Sequence, residues 1–272
     1  MNQRMTDPTF ALALPQLALI RVTGADADTF LQGQLSNDLR QLSPARAQLS
    51  SLNSAKGRLL AILHAWREGD AFLLDLPRAL LDPIAKRLRL YVMRSKVTLA
   101  AAEDLLVTGL AGPDAAKALA QAGLPMPSGP LECAHAGGVT VTKRLGSPER
   151  YTLISPAAQP PRLAVPSGDA QAWKQLEIQA GVPVVYPETQ DRFVAQMCNL
   201  DALGGIAFEK GCYTGQEVIA RVHYRGAVKR HMSLLRLAGP APAPGAKIAE
   251  GEVVDAVDRD GGSDALVVSA SG

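Results

Sequence analysis

The stretch "NLDALGGIAFEKGCYTGQEVIAR", residues 199–221, surrounds a single cysteine, Cys212, with glycines. Glycine permits positive φ and close approach of another backbone, so tight turns are expected on both sides of the thiol. Thr214 followed by Glu217 matches a capping box, which predicts that a helix begins here with its unpaired N–H groups directed back past the cysteine. Because Lys210 is also near, the thiol is expected to ionise more readily than an ordinary cysteine.

The cysteines predict neither a disulfide framework nor a metal site. Cys133, Cys198 and Cys212 are odd in number and widely spaced, which is typical of a reducing, cytosolic setting. His223 and His231 stand at no recognised ligand spacing from them, so no metal is expected to be bound by this chain alone. The residues leave one alternative open for Cys212, that of a small, buried and chemically idle side chain.

Length and composition indicate a globular protein. With 272 residues, 47% of them hydrophobic, the chain can bury one large core or form two to three packed lobes. The apolar run at residues 10–22 is interrupted by Pro15, Gln16 and Arg21, so it predicts no signal peptide. No stretch approaches the ~20 apolar residues of a membrane span. We therefore expect a cytoplasmic protein without membrane association.

The positive charge of the chain is local. Residues 210–236 carry six Lys or Arg against one acidic residue, residues 51–100 carry nine against four, and residues 241–272 carry two against six. Such a local field suits an anionic ligand or partner better than general coating of nucleic acid. A solvated face of lysines and arginines is the alternative.

The first hundred residues alternate strands and helices in the order of a split ferredoxin-like lobe. Strands are predicted at residues 17–24, at 95–100 and as a hairpin within 57–77, with an additional strand at 47–53. One helix is predicted within residues 26–35. A second helix, after Pro77, carries these apolar residues on one face: Leu80, Leu81, Ile84 and Leu88.

A second block repeats this order. Strands are predicted at residues 105–112, 138–145 and 150–156, and helices at 113–123 and 169–181. Two short strands, "EVVDAV" and "ALVVSA", follow the proline-rich connector "GPAPAPG" near the end of the chain. The pattern predicts an α+β fold with two similar lobes.

The stretch at residues 199–221, continued by "YRGAVKR", closely resembles the signature of the YgfZ-type proteins, folate-binding relatives of the glycine-cleavage T-protein, an aminomethyltransferase. The upstream stretches "VTGADADTFLQGQLSNDL", "SAKGRLLA", "YVMRSKVTL" and "AGVPVVYPETQDRFVAQ" occur in the order of that family. The resemblance covers about residues 12–236, and "KGCYTGQE" is its most specific part.

The resemblance implies three lobes around a central channel that binds tetrahydrofolate. Two lobes are expected to be split ferredoxin-like and the third to be a small C-terminal β-barrel. Because the chain stops soon after "ALVVSASG", we expect this barrel to be incomplete. The predicted domains are the first lobe at 12–102, the second lobe at 103–190, a motif segment completing the lobe interface at 191–236, and the short barrel segment at 237–272.

The resemblance also implies a function. Family members support the assembly or repair of iron–sulfur enzymes, including tRNA-modifying ones, and the working residues of the motif fall on Cys212 and Lys210. The implied cofactor is tetrahydrofolate or another reduced folate, and the implied partners are iron–sulfur client enzymes or assembly proteins. Trp173 matches a tryptophan beside the folate, although a core aromatic on an amphipathic helix is the alternative. A monomer is expected.

A folate would need a glycine-lined slot for the flat pterin and cations for its anionic tail. The arginines predicted for the tail are Arg58, Arg221 and Arg225. The remaining residues predicted to bind the cofactor are Gln196, Asn199, Gly205, Tyr213, Gln216 and Glu217. Sequence alone does not choose among the polar ones.

The chain departs from the family in three places. Leu17 replaces a second folate-side tryptophan of some relatives, and Gln179 replaces a glutamate that reads the pterin. The "SAKGRL" segment, residues 54–59, lacks the acid that assists aminomethyl transfer in T-proteins. A folate-dependent one-carbon transferase therefore remains only an alternative, and whether the protein is an enzyme stays open. Direct RNA binding is not expected, because residues 221–236 contain one tyrosine, Tyr224, for stacking on bases.

Overall fold

The computed structural model describes residues 8–226 and 228–270. These residues form two compact units. The smaller unit consists of residues 8–15 and 103–182, and the larger unit consists of residues 16–102 and 183–270. Across the described ranges, every helix is too short or too polar to cross a bilayer.

The strands, numbered along the chain, are β1 Phe10–Ala13, β2 Leu17–Thr23, β3 Gln48–Asn53, β4 Leu59–Glu68, β5 Ala71–Pro77, β6 Thr98–Ala101, β7 Leu105–Ala111, β8 Cys133–Ala136, β9 Val139–Lys143, β10 Arg150–Pro156, β11 Arg230–Leu237, β12 Lys247–Ile248, β13 Gly251–Arg259 and β14 Gly262–Ala270. The α-helices are α1 Ala27–Gln32, α2 Leu81–Val92, α3 Ala115–Gln121, α4 Ala170–Gln179 and α5 Gln216–Arg225. Short 3-10 helices lie at Leu39–Gln41, Arg78–Leu80, Pro187–Thr189 and Ala195–Cys198.

In the larger unit, the strands predicted for residues 17–100 form one antiparallel sheet in the order β3-β4-β5-β2-β6. β2 lies between β5 and β6, and Ile20 stands opposite Leu74 on one side and Ala101 on the other. The predicted apolar face of α2 is present, because Ile84 and Leu88 are buried. The strands and helices predicted for this part are thus confirmed.

In the smaller unit, the sheet order is β1-β7-β10-β9-β8. The predicted strands β7, β9 and β10 are present, whereas β1 and β8 were not predicted. β1 pairs antiparallel with β7, so that Leu12 stands opposite Gly109. Its other edge is covered by residues 166–168, since Ala11 donates its N–H to the Pro166 carbonyl.

The position of β1 corrects the start of the first predicted lobe. Residues 12–15 were assigned to the lobe 12–102, but the pairing of β1 with β7 places them in the smaller unit. In the larger unit, β6 fills the sheet position beside β2 and follows its helix directly in the chain. In the smaller unit, β1 fills the corresponding position beside β7. Residues 103–182 themselves contribute no strand to the position beside β7 that β1 occupies.

A buried ion cluster links the strands of the smaller unit to α4. The Arg150 side chain is fully buried, and its Nε donates to Glu177 Oε1 at 3.0 Å. Arg144 Nη2 donates to Glu177 Oε2 at 3.3 Å. Further Arg150 donors reach the carbonyls of Pro148 and Leu145 at 2.9 and 3.1 Å. Burial lowers the pKa of Arg150, and the charge of Glu177 opposes this effect.

The C-terminal strands form an open antiparallel sheet, a half-barrel in the order β11-β14-β13-β12. A bulge between Val253 and Asp255 interrupts the β13–β14 register and adds curvature. β11 pairs with β14 from Arg230 to Leu237. The predicted boundary between residues 236 and 237 therefore cuts through a strand, because β11 belongs to this sheet. The last two residues of "ALVVSASG", 271 and 272, lie outside the described residues.

The domain division as a whole, the split ferredoxin-like description of the lobes and the central folate channel stay predictions.

The Glu177 cluster predicts a large stability effect in the smaller unit. We expect Glu177→Gln to lower the free energy of unfolding by about 3–5 kcal/mol, because it leaves buried arginine charge without its counter-ion. The matched control is Glu149→Gln, which removes the charge of a carboxylate that is 63% exposed and paired with Lys143, and which should cost less than about 1 kcal/mol. Urea unfolding followed by circular dichroism measures both. Equal effects would contradict the assigned role of the cluster.

Candidate functional site

The cysteine-containing loop is held against the turn at residues 54–57. A Cβ atom on Gly215 would lie 2.4 Å from the Ser54 carbonyl oxygen, and one on Gly57 would lie 2.7 Å from Val218 Cβ. Gly215 also has a φ of +81°, which disfavours other residues. Both glycines are therefore required for this close approach. Two stretches of the family resemblance, "SAKG" and "KGCYTGQE", meet here.

The predicted capping box is wrong. The helix α5 begins at Gln216, its N-cap is Gly215, and the N-cap supplies no side-chain hydrogen bond. The Gln216 side chain holds the loop instead: its Oε1 accepts from the Tyr213 N–H at 3.3 Å, and its Nε2 donates to the Lys210 carbonyl at 3.4 Å. Thr214 cannot act as the N-cap, because the residue directly before α5 is the glycine that contacts the 54–57 turn.

Lys210 is a buried anchor of the loop. Its Nζ donates to the carbonyl oxygens of Gln32, Leu35 and Asn37 at 2.7, 2.7 and 2.8 Å, so that all three ammonium donors are satisfied. Two of these carbonyls follow α1 and one ends it, a position that favours a cation. The Tyr213 ring lies with its centroid 5.0 Å from Nζ. Burial lowers the pKa of Lys210 to about 8.

The same loop exposes the thiol. Cys212 is exposed, although its neighbours Lys210 and Tyr213 are only 6% and 7% exposed. Cys133 is partly buried and its Sγ lies 3.3 Å from Thr142 Oγ1. Cys198 is buried, and burial raises its pKa. The idle, buried alternative thus describes Cys198 and not Cys212.

A buried polar cluster fixes the glycine-rich segment that precedes the loop. The Ser36 hydroxyl donates to the Gly205 carbonyl at 2.7 Å. Asn37 Nδ2 donates to the carbonyls of Gly204 and Leu49, both at 2.8 Å. Sequence reasoning missed Ser36 and Asn37, because neither stands in a recognised site pattern. Their sequence signal is that they lie in the stretch "VTGADADTFLQGQLSNDL" of the family resemblance, as polar residues among apolar ones.

The amides predicted to bind the cofactor are engaged with backbone. Gln196 is buried, and its Nε2 donates to the Ile219 carbonyl at 2.7 Å. Asn199 has a φ of +57°, and its Nδ2 donates to the Met232 carbonyl at 2.8 Å. These contacts connect the segment to α5 and β11. Their part in folate binding stays a prediction.

The remaining predicted residues fall into two groups. Glu217, Arg221 and Arg225 are exposed on α5. Arg58 is exposed beside the 54–57 turn, and its Nη1 donates to the Arg192 carbonyl at 2.6 Å. Trp173 belongs to the smaller unit and is 4% exposed. A Cβ on Gly109 would lie 2.7 Å from the Trp173 ring, so the indole packs directly on that glycine.

A carboxylate lies beside the "SAKGRL" segment although the segment itself contains none. The Ser54 hydroxyl donates to Asp191 Oδ1 at 2.7 Å, and the Asp191 N–H donates to the Leu59 carbonyl at 2.8 Å. Asp191 is exposed and has a φ of +59°, which aspartate tolerates better than most residues. Sequence reasoning missed it, because it is 137 residues from Ser54. Within the described ranges, no group of three or more His, Cys, Asp or Glu residues is placed to hold a metal ion.

The anchor at Lys210 predicts a pH-dependent stability. Its pKa is about 8 in the folded chain against an ordinary value of 10.5. Between these values the unfolded chain binds the additional proton, so the free energy of unfolding rises with pH relative to a variant without the ammonium. Urea unfolding of wild type and Lys210→Met, at about pH 7.5 and about pH 10, should show a growing wild-type advantage. A shrinking advantage would mean that the carbonyl bonds hold the pKa above its ordinary value.

The exposures of the three cysteines predict their order of alkylation. Iodoacetamide should modify Cys212 first, Cys133 more slowly and Cys198 last, because reaction requires access to the thiolate. Peptide mass spectrometry at successive times measures the three rates. The control is the same reaction in concentrated urea, where the differences should largely disappear. Similar rates in the folded protein would contradict the exposed placement of Cys212.

Comparisons with known proteins identify relatives of this chain. No protein-family model matches the chain. Among curated proteins, the tRNA-modifying protein YgfZ of Shigella boydii serotype 4 is 35% identical over 234 residues, covering 84% of this chain and 72% of that protein. The tRNA-modifying protein YgfZ of Escherichia coli O157:H7 has the same identity and coverage.

A solved structure shows the same fold. The glycine cleavage system aminomethyltransferase T from Bartonella henselae matches with a TM-score of 0.74 at 19% identity, covering 97% of this chain and 78% of that one. The fold is therefore aminomethyltransferase-like. The two YgfZ proteins are 35% identical to this chain over most of both sequences, and this similarity shows the family of the chain. The family resemblance is confirmed, and the chain belongs to the YgfZ family.

Proposed function

We propose that the protein is a cytoplasmic, tetrahydrofolate-binding accessory factor that supports the assembly or repair of iron–sulfur enzymes, including enzymes that modify tRNA. The relatives bear the name tRNA-modifying protein, which supports the link to tRNA modification. The proposed architecture comprises two split ferredoxin-like lobes and the half-barrel around a folate channel. The proposed partners are iron–sulfur client enzymes or assembly proteins, and the proposed state is a monomer.

The observation that carries the proposal is an exposed thiol on a rigidly anchored loop. Lys210 and Tyr213 hold the loop from inside the larger unit while Cys212 remains accessible to a partner. A cysteine that only filled space would need neither an exposed thiol nor an anchored loop. One thiolate cannot hold an iron–sulfur cluster, which is bound by about four, so Cys212 would act together with thiolates of the client.

The proposed folate site combines the glycine-rich segment with arginines for the glutamate tail. Arg58, Arg221 and Arg225 are all exposed, as binding to a carboxylate at the mouth of a site requires. Gln196 Oε1 has no hydrogen-bond partner among the described residues, but it is buried, so a ligand N–H group would reach it only after neighbouring side chains moved. Trp173 is proposed to lie beside the folate, as the family resemblance implies.

Asp191 favours a second candidate function. A folate-dependent one-carbon transferase needs an acid or base within reach of the folate nitrogen, and "SAKGRL" has none. The Asp191 carboxylate, held by the Ser54 hydroxyl at 2.7 Å, lies beside that segment. If the protein transfers a one-carbon group, Asp191 is the residue proposed to move the proton.

Two experiments test the role of the Cys212 thiol and the binding of tetrahydrofolate separately. In a strain that lacks its own copy of this protein, the wild type and the control Cys133→Ala should restore the activity of a tRNA-methylthiolating enzyme, whereas Cys212→Ala should not. Calorimetry should show that wild type and Cys212→Ala bind tetrahydrofolate equally, with an affinity that weakens as salt rises because carboxylate–arginine attraction is screened.

Either half of this prediction can fail alone. Restored activity with Cys212→Ala would mean that the thiol is structural. Absence of tetrahydrofolate binding at low salt would remove the cofactor from the proposal.

A further inference from the structure

A pocket in the larger unit lies beside the anchored loop, on the side of the C-terminal end of α5. Its volume is about 580 Å³. Three short segments line it: residues 38–41, residues 207–210 and the α5 residues 223–224. The folate site and the thiol chemistry proposed above do not use its aromatic residues.

The pocket contains a cluster of aromatic rings. The rings of Phe208 and His223 stack with centroids 3.7 Å apart and planes within 12°. Tyr224 meets His223 edge-on at 4.7 Å and an angle of 80°. Tyr224 is 63% exposed, although a large aromatic residue gains from burial. The cluster therefore offers a preformed aromatic surface on which a further flat ring can stack.

An exposed arginine lies beside the rings. Arg40 lines the pocket, and its side chain is 70% exposed. Its guanidinium is held in place by Asp38, at 2.6 Å from Nη2 to Oδ2 and 2.8 Å from Nε to Oδ1. Arg221 and Arg225 are exposed on α5 but do not line the pocket, and the proposed folate site already uses them. The carboxylates of Asp38 and Glu209 also line the pocket, so an anionic group is expected only on the exposed side of the Arg40 guanidinium.

We propose that this pocket binds a nucleotide of single-stranded RNA. The base stacks on the rings of Tyr224 and its neighbours, and a phosphate lies against the exposed side of Arg40. Single-stranded binding sites combine these two features, because every base has a flat face and every linkage a negative charge. The sequence alone does not predict RNA binding, because residues 221–236 contain one tyrosine, Tyr224, and neither phenylalanine nor tryptophan. The fold adds Phe208 from outside that stretch and stacks it on His223.

This inference goes beyond the proposed function and depends on neither folate nor Cys212. The probe is a fluorescently labelled, unstructured RNA of about ten nucleotides, within the usual site size of such proteins. Anisotropy titrations should show saturable binding that weakens with rising salt. Tyr224→Ala should weaken binding by about fivefold to a hundredfold, because base stacking is lost, whereas Tyr224→Phe should retain most of the affinity.

The matched control is Tyr91→Ala. Tyr91 is an exposed tyrosine on α2 with an arginine near its ring, since the Arg87 guanidinium lies 5.9 Å from the ring centroid. This variant should bind as the wild type does, and a duplex of the same sequence should bind more weakly because its bases are already stacked. Absence of RNA binding, equal losses in the Tyr224→Ala and Tyr91→Ala variants, or equally tight binding of the duplex would overturn the proposal. So would equally strong competition by an acidic peptide.

Discussion

The ammonium group of Lys210 is the contact on which the arrangement of the motif depends. It accepts no hydrogen bond and donates three, each to a carbonyl at or just after the end of α1. Desolvation of an ammonium is costly, and full satisfaction of its donors offsets much of this cost. Because the backbone carbonyls determine where Nζ lies, the next residues of the chain have little freedom, and the thiol two residues later stays at the surface.

Glycine provides the second constraint on this loop. Gly215 and Gly57 let the start of α5 and the 54–57 turn approach until their backbones touch. Larger side chains at these positions would separate the two segments. The family pattern of "KGCYTGQE" and "SAKG" is therefore explained as one contact between segments far apart in the chain. This contact also brings the Ser54–Asp191 pair close to the start of α5.

Local sequence patterns predicted much of the fold and less of the site. Runs of apolar residues located β2, β4, β5, β7 and β10, since these are long strands and most of their residues are buried. The pattern around Cys212 identified the functional loop. The capping box failed because a tertiary contact, rather than a side chain, sets the start of α5. Arg150 and Asp191 could not be predicted, because their partners lie 27 and 137 residues away.

The pairing of β1 with β7 has a consequence for synthesis of the chain. The strand at residues 10–13 leaves the ribosome before any of the 87 residues of the larger unit at 16–102, and its sheet partner at 105–111 follows only after them. β1 must therefore wait while a complete antiparallel sheet forms behind it. Until it docks, β7 has an unpaired edge that can recruit strands of other chains. When β1 docks, it covers the edge of β7 and so removes a site at which the newly made chain could aggregate.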